Sequence, residues 1–240
     1  MSIPGLNEWL DTPLGRYMLD WEQAKCDQAV ADVFGFNAVQ IGLREVDLLR
    51  ANRIPFRIHC DDGPQDGSVQ ARICTHQLPF ASASVDLVVL PHVLEFSPYP
   101  HQVLREVERI LVPEGQVVIT GFNPLSLWGL RRRLASPVAP LPWSGEYLSI
   151  RRLKDWLTLL SFEVQGGNFG CYAPPMASAL QRWQWMDKAG DRWWPIFGGT
   201  YLLQAVKRVH GMRLIMPRWQ DRLARAKALA PAVQKTDITT

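Results

Sequence analysis

The chain has 240 residues, 47% hydrophobic and 20% charged, with a formal net charge of +3. That composition suits one globular domain with a continuous core and excludes a chain that is mainly disordered. The small positive balance gives no strong nucleic-acid signal, because phosphate binding favours a dense Lys/Arg stripe.

Four cysteines, Cys26, Cys60, Cys74 and Cys171, show neither a CxxC pair nor metal-finger spacing, so reduced thiols in a cytoplasmic protein and no metal site are expected. The opening "MSIPGLNEWLD" lacks a basic segment followed by an apolar one, and no uncharged stretch reaches the roughly 18 apolar residues of a spanning helix. Neither secretion nor a membrane span is expected.

The first element is a helix over 12 to 35, with Thr12 as N-cap, Pro13 at the first helical position and Gly35 past its end. Leu14, Tyr17, Met18, Trp21 and Val33 fall near one face at the 3.6-residue period, with Asp20, Glu22, Lys25 and Asp27 elsewhere. Short apolar runs then alternate with helical patterns, the layout of a parallel sheet with crossover helices. Strands are expected at about 37 to 41, 55 to 60, 69 to 74, 85 to 90, 116 to 121, 162 to 165 and 200 to 206. The run "VDLVVL" is apolar after Asp86, as in a strand covered on both faces. "YPHQVLREVERILVPEG" and "SIRRLKDWLTLLSF" read as amphipathic crossover helices.

Two long connections break the alternation. Residues 122–144 hold four prolines around Arg131, Arg132 and Arg133, and residues 166–199 carry Trp183, Trp185, Trp193 and Trp194. Connections of this length cover something or contain their own short helices. The tryptophans read either as an apolar lid on a small-molecule acceptor pocket or as a satellite core. The arginines, with Trp128 among them, read either as a solvated helix face or as a peripheral contact with anionic surfaces. The expected organisation is a helical segment over 1–35, an α/β domain over 36–210 and a basic tail over 211–240.

In an open α/β sheet the ligand crevice lies outside the carboxyl ends of the strands. The candidate residues are therefore Gly42; Asp61 and Asp62; Cys74 and Thr75; Pro91, His92 and Glu95; and Asn123. A neutral His92 would be a general base beside Glu95, or else a histidine satisfied at a helix start. Asn123 would present its amide to substrate, or else shape a turn.

The stretch from Leu78 to Pro124 carries "LPF", Ser84-Val85-Asp86, Leu104 to Leu111 as "LREVERIL", and Pro113-Glu114-Gly115. It resembles the second half of class I S-adenosylmethionine-dependent methyltransferases of the type-11, quinone-biosynthesis-like group. The resemblance implies a Rossmann-like, seven-stranded, mostly parallel sheet with helices on both faces, in the order 3-2-1-4-5-7-6. It implies S-adenosyl-L-methionine as cofactor and methyl transfer to a small, apolar or aromatic acceptor. On that footing Gly42 leaves room for the methionine part and Asp61 or Asp62 takes the ribose hydroxyls, while Arg44, which stands where the family has no such residue, would be a substitute partner for the cofactor's carboxylate. Cys74 stands where the family often has an Asp for the adenine amino group, with Thr75 beside it, and Pro91 and His92 border the cofactor. Asn123 and Trp128 are the candidates for contact with the acceptor.

The sequence departs from the family at its glycine-rich loop, where only Gly42 remains and Leu43, Arg44 and Glu45 follow. The rival to an enzyme is thus a methyltransferase-fold protein that has lost the donor and works as an interaction module. A nicotinamide-dependent oxidoreductase is disfavoured by the missing GxGxxG.

Overall fold

A computed structural model describes residues 6–43, 45–62, 71–135, 142–176, 180–183 and 185–209. Seven strands form one sheet: β1 (Asn37–Ile41), β2 (Phe56–Asp61), β3 (Ala71–Arg72), β4 (Val85–Pro91), β5 (Leu111–Phe122), β6 (Phe162–Gly170) and β7 (Thr200–Lys207). Their order is β3-β2-β1-β4-β5-β7-β6, as the resemblance implies. Only β7 runs against the rest, inserted between β5 and β6 with Thr200 opposite Phe122 and Gly170. The start of β7 therefore lies on the same edge as the carboxyl ends of the parallel strands.

The helices are α1 (Leu6–Leu10), α2 (Pro13–Ala31), α3 (Val93–Phe96), α4 (Pro100–Ile110), α5 (Leu127–Leu134), α6 (Ile150–Leu159), α7 (Leu180–Trp183) and α8 (Trp185–Trp193), with a 3-10 turn at Pro195–Phe197. As expected, Thr12 caps α2, its hydroxyl accepting from the Gly15 amide at 3.1 Å. The buried stripe of α2 is Leu14, Met18, Glu22, Cys26 and Val30, four residues apart, so Glu22 points inward and not to solvent. Gly35 is no left-handed cap. It marks a close approach to Asp86, whose carboxylate accepts from the amides of Phe36 and Asn37 at 2.8 and 2.9 Å.

One face of the sheet packs Met18, Val30 and Trp128 against Leu87, Val89 and Phe122; the other packs Val103, Val107 and Leu153 against Val88, Leu90 and Ile119. Burial on both faces explains the unbroken apolar run of β4. The residues that carry the resemblance also hold one another. Glu106 accepts from the Leu78 amide at 2.9 Å, and Arg109 donates to the carbonyls of Leu78 and Phe80, each at 2.9 Å. The Arg109 guanidinium keeps the Glu106 carboxyl below its ordinary range.

Between β1 and β2 the crossover has no helix among its described residues, only turns. The amide of Gln40, fully buried in β1, takes the helix's place. It donates to the carbonyls of Gly42, Leu43 and Val46 at 3.2, 3.1 and 2.7 Å and accepts from the Leu48 amide at 2.9 Å. Buried backbone groups need such partners, and one side chain supplies four.

The strands differ from expectation in extent. Among the described residues the third is Ala71–Arg72 and stops short of Ile73 and Cys74, residues 69 and 70 lying outside the described residues, and the fifth starts at Leu111 instead of 116 because the chain enters it directly from α4. Arg44 and the basic tail also lie outside the described residues. No helix among the described residues is long and apolar enough to cross a membrane.

Candidate functional site at the carboxyl edge of the sheet

Strand β1 ends in Gly42, whose φ of +84° suits a residue without Cβ. A Cβ there would meet the Val93 side chain at 3.0 Å and the Pro91 carbonyl at 3.6 Å, so the loops after β1 and β4 approach each other at this glycine. Leu43, also left-handed at φ 50°, buries its side chain next to it. The Gly42 amide donates to the Cys60 carbonyl at 2.8 Å, which ties the turn to β2. Asp61 closes β2, buried, with one carboxylate oxygen accepting from the Asp62 amide at 2.8 Å. Thr75 is buried, whereas Cys74 is exposed with its sulfur 3.3 Å from the His76 ring.

Strand β4 ends in Pro91, and His92 follows in a left-handed conformation at φ 54°. Its ring is 1% exposed and bonded on both sides: Nε2 to Glu22 at 2.7 Å and Nδ1 to Glu95 at 2.8 Å. The second oxygen of Glu95 accepts from the Phe122 amide, and the Phe122 ring lies 4.3 Å from the imidazole. Burial by itself would lower the His92 pKa, but the Glu22 and Glu95 carboxylates outweigh it and push the group up to about 10. The Glu95 carboxyl is raised by burial, with His92 opposing.

Of the two expectations for His92, a general base beside Glu95 or a histidine satisfied at a helix start, the two hydrogen bonds fit the second. With each ring nitrogen already engaged by a carboxylate, none is left open toward a substrate. Glu22, which the sequence reading left on the polar face, is the third member. It is fully buried, and its Oε2 has no hydrogen-bond partner among the described residues. The four-residue spacing from Leu14 through Met18 to Cys26 is the signal that points Glu22 inward.

Asn123 and Trp128, the expected acceptor contacts, are both engaged by the protein itself. Asn123 spends its amide on the protein, donating to the carbonyls of Ile196 and Gly198 at 2.8 and 2.9 Å and accepting from the Leu125 amide at 3.0 Å. Trp128 is fully buried, stacked on Phe122 at 5.8 Å and bonded through Nε1 to the Ala173 carbonyl at 3.0 Å. The Asn123 bonds fasten the chain returning to β7 to the end of β5. The three arginines are not a uniform patch. Arg131 lies over Trp143 at 4.6 Å and Arg132 over Tyr147 at 5.4 Å, while Arg133 extends from the helix without such a ring.

The two long connections do line one cavity, of about 530 Å³, through Leu125, Leu127 and Leu130 on one side and Met186, Trp194 and Phe197 on the other. Tyr17 fixes the second connection to α2 through Asp187, which also accepts from the Tyr172 amide. Among the described residues no group of three or more His, Cys, Asp or Glu side chains is arranged to hold a metal ion.

Residues 26–119 match a family model described as a methyltransferase domain. The chain is similar to an uncharacterized protein, YafS, of Escherichia coli K12, at 32% identity over 157 residues. That match spans 65% of this chain and 65% of the relative's length. Among solved structures, an S-adenosylmethionine-dependent methyltransferase of Thermotoga maritima aligns over 85% of this chain and 97% of its own, with 15% identity and a TM-score of 0.60. Another, from Archaeoglobus fulgidus, aligns over 80% and 94%, with 17% identity and a TM-score of 0.57. The fold is that of class I methyltransferases.

Proposed function

From a methyltransferase domain on this fold, we propose that the chain transfers a methyl group from S-adenosylmethionine to a small apolar acceptor. The observation that carries the reading is the bare left-handed backbone at Gly42 beside three features of one edge: the Asp61 carboxylate, the unpartnered Glu22 oxygen and the apolar cavity. These residues fit the cofactor. A nucleoside with an amino acid arm needs close backbone, an acceptor for ribose hydroxyls and an acceptor for its ammonium. Asp61 or Asp62 takes the ribose, Glu22 takes the ammonium, and Cys74 and Thr75 border the adenine.

When bound, the cofactor supplies an activated methyl on a sulfonium, so the protein's task is mainly alignment. His92 holds Glu22 and the end of β5 in place instead of moving a proton. The apolar side chains of the cavity position the acceptor and keep water from it.

Calorimetric titration with S-adenosylhomocysteine tests the reading. Binding raises the melting midpoint, and Asp61→Asn or Glu22→Gln weakens it about tenfold through a lost charged hydrogen bond. No heat and no shift at millimolar ligand would remove the enzyme reading. A second reading, a fold relative without donor binding, is favoured by one observation: Gln40 already holds three carbonyls of the loop after β1, and Leu43 is buried there. The same titration separates the two.

A further inference from the structure

Helix α5 presents its apolar side outward. Leu127, Leu130 and Leu134, spaced i, i+3 and i+7, are 45%, 52% and 80% exposed, while Trp128 and Gly129 fill the interior. A solvated surface helix would carry polar residues there. Across from it Trp194 and Phe197 are about half exposed, and with Leu125 and Met186 they join Leu127 and Leu130 around the cavity of about 530 Å³. Exposed apolar groups gathered into one concavity of this size mark a ligand site more than a random surface.

A second cavity of about 490 Å³ adjoins the first, because Pro124 and Arg133 line both. Its other walls include Arg132, Ser144, Glu146 and Tyr147, so two guanidinium groups face one carboxylate. Arg132 is committed to the Gly145 carbonyl and the Tyr147 ring, whereas Arg133 is exposed with no hydrogen bond or ion pair among the described residues. An unpaired guanidinium at the boundary of an apolar and a polar hollow matches a ligand that is greasy at one end and anionic at the other.

We propose that the two cavities form one bipartite site for a single-chain anionic amphiphile. The alkyl or isoprenoid chain lies among Leu127, Leu130, Trp194 and Phe197, and a carboxylate or phosphate head pairs with Arg133. The concave shape and one unpaired arginine at the boundary of the two hollows suit one chain, not the broad contact that a bilayer surface makes. As a binding site it stands apart from methyl transfer. Only its further role, as the site that receives the acceptor, rests on the enzyme reading.

Titration of the full chain with decyl phosphate and with 1-decanol, both below micelle-forming concentrations and without S-adenosylmethionine, tests the site. Tryptophan fluorescence and calorimetry are the readouts. Saturable one-to-one binding is expected. Arg133→Gln weakens decyl phosphate about tenfold and leaves decanol within about twofold, while Leu130→Asp weakens both by at least about tenfold. Both positions are exposed, and circular dichroism checks the fold; should Leu130→Asp misfold, Leu127→Ser gives the same reading. Three outcomes overturn the proposal: no saturable binding of decyl phosphate, equal losses of phosphate and alcohol in Arg133→Gln, or binding to phosphatidylglycerol vesicles but not to the monomeric amphiphile. Because the donor is absent, a negative result here is distinct from failure of cofactor binding.

Discussion

At the scale of single residues, the Glu22, His92 and Glu95 cluster links the protonation of the protein to its stability. The His92 pKa is pushed up to about 10 from an ordinary 6.5, against burial and through its two carboxylates, so the folded state holds this proton longer than the unfolded chain does. The stability it contributes is fully present below about pH 6.5 and is lost as pH rises through the folded value. The raised Glu95 carboxyl has the same sign, since its proton too is held longer in the folded state. Urea unfolding should therefore show stability falling between about pH 6.5 and pH 8.5, below the range where thiols and phenols of the unfolded chain ionise. Glu22→Gln should flatten that slope and cost about 1 to 3 kcal/mol, because an amide accepts from His92 but carries no charge. A slope unchanged in Glu22→Gln would mean that Glu22 does not set the proton. The sequence placed His92 and Glu95 correctly on the edge because they follow an obvious buried strand. It did not disclose their partner, 70 positions earlier, because only the fold joins the two.

At the scale of elements, what was legible depended on local signals. The cap at Thr12, the helical periods of α4 and α6 and the buried run of β4 are written in neighbouring residues. The Leu78 turn and its Glu106 and Arg109 clamp explain why several motif positions travel together: each is a partner of another. Helix α5 was legible only as a face carrying three arginines; that Trp128 turns inward while Leu127, Leu130 and Leu134 stay exposed depends on its packing partners and not on its own pattern. The stretch after β1 was less legible. The missing glycines were plain in the sequence, but not that Gln40 organises the turns there, because its partners are backbone groups that only the fold brings to it. Gln40→Leu should strand three carbonyls and one amide, two of these hydrogen bonds being fully buried, and so destabilise the protein by about 3 kcal/mol or more. It should also speed amide exchange over residues 42–48 more than elsewhere. A loss below about 1 kcal/mol would show that the turn holds itself without the side chain.

At the scale of the whole molecule, the N-terminal helices belong to the same compact unit as the sheet, since Met1–Val209 forms one body by internal contacts. Leu10, Leu14, Met18, Cys26 and Val30 are buried against that face with Leu87, Val89 and Leu202. Trp9 packs edge-on against Phe122 and Trp128 at 6.1 and 6.5 Å. Each large apolar side chain so buried is worth about 1.5 to 3 kcal/mol, and the set together matches the entire stability of a typical domain, about 5 to 15 kcal/mol. A chain starting at Phe36 should therefore lack a cooperative urea transition and a near-ultraviolet circular dichroism signal, even though every strand of the sheet is still present. It would also lack Glu22, leaving His92 without its Nε2 partner and the carboxyl edge without its inward acid. If the shortened chain instead unfolds in one sharp transition, the sheet and its second face suffice alone. The first 35 residues would then be an appendage, and the role given to Glu22 would have to be carried by another group.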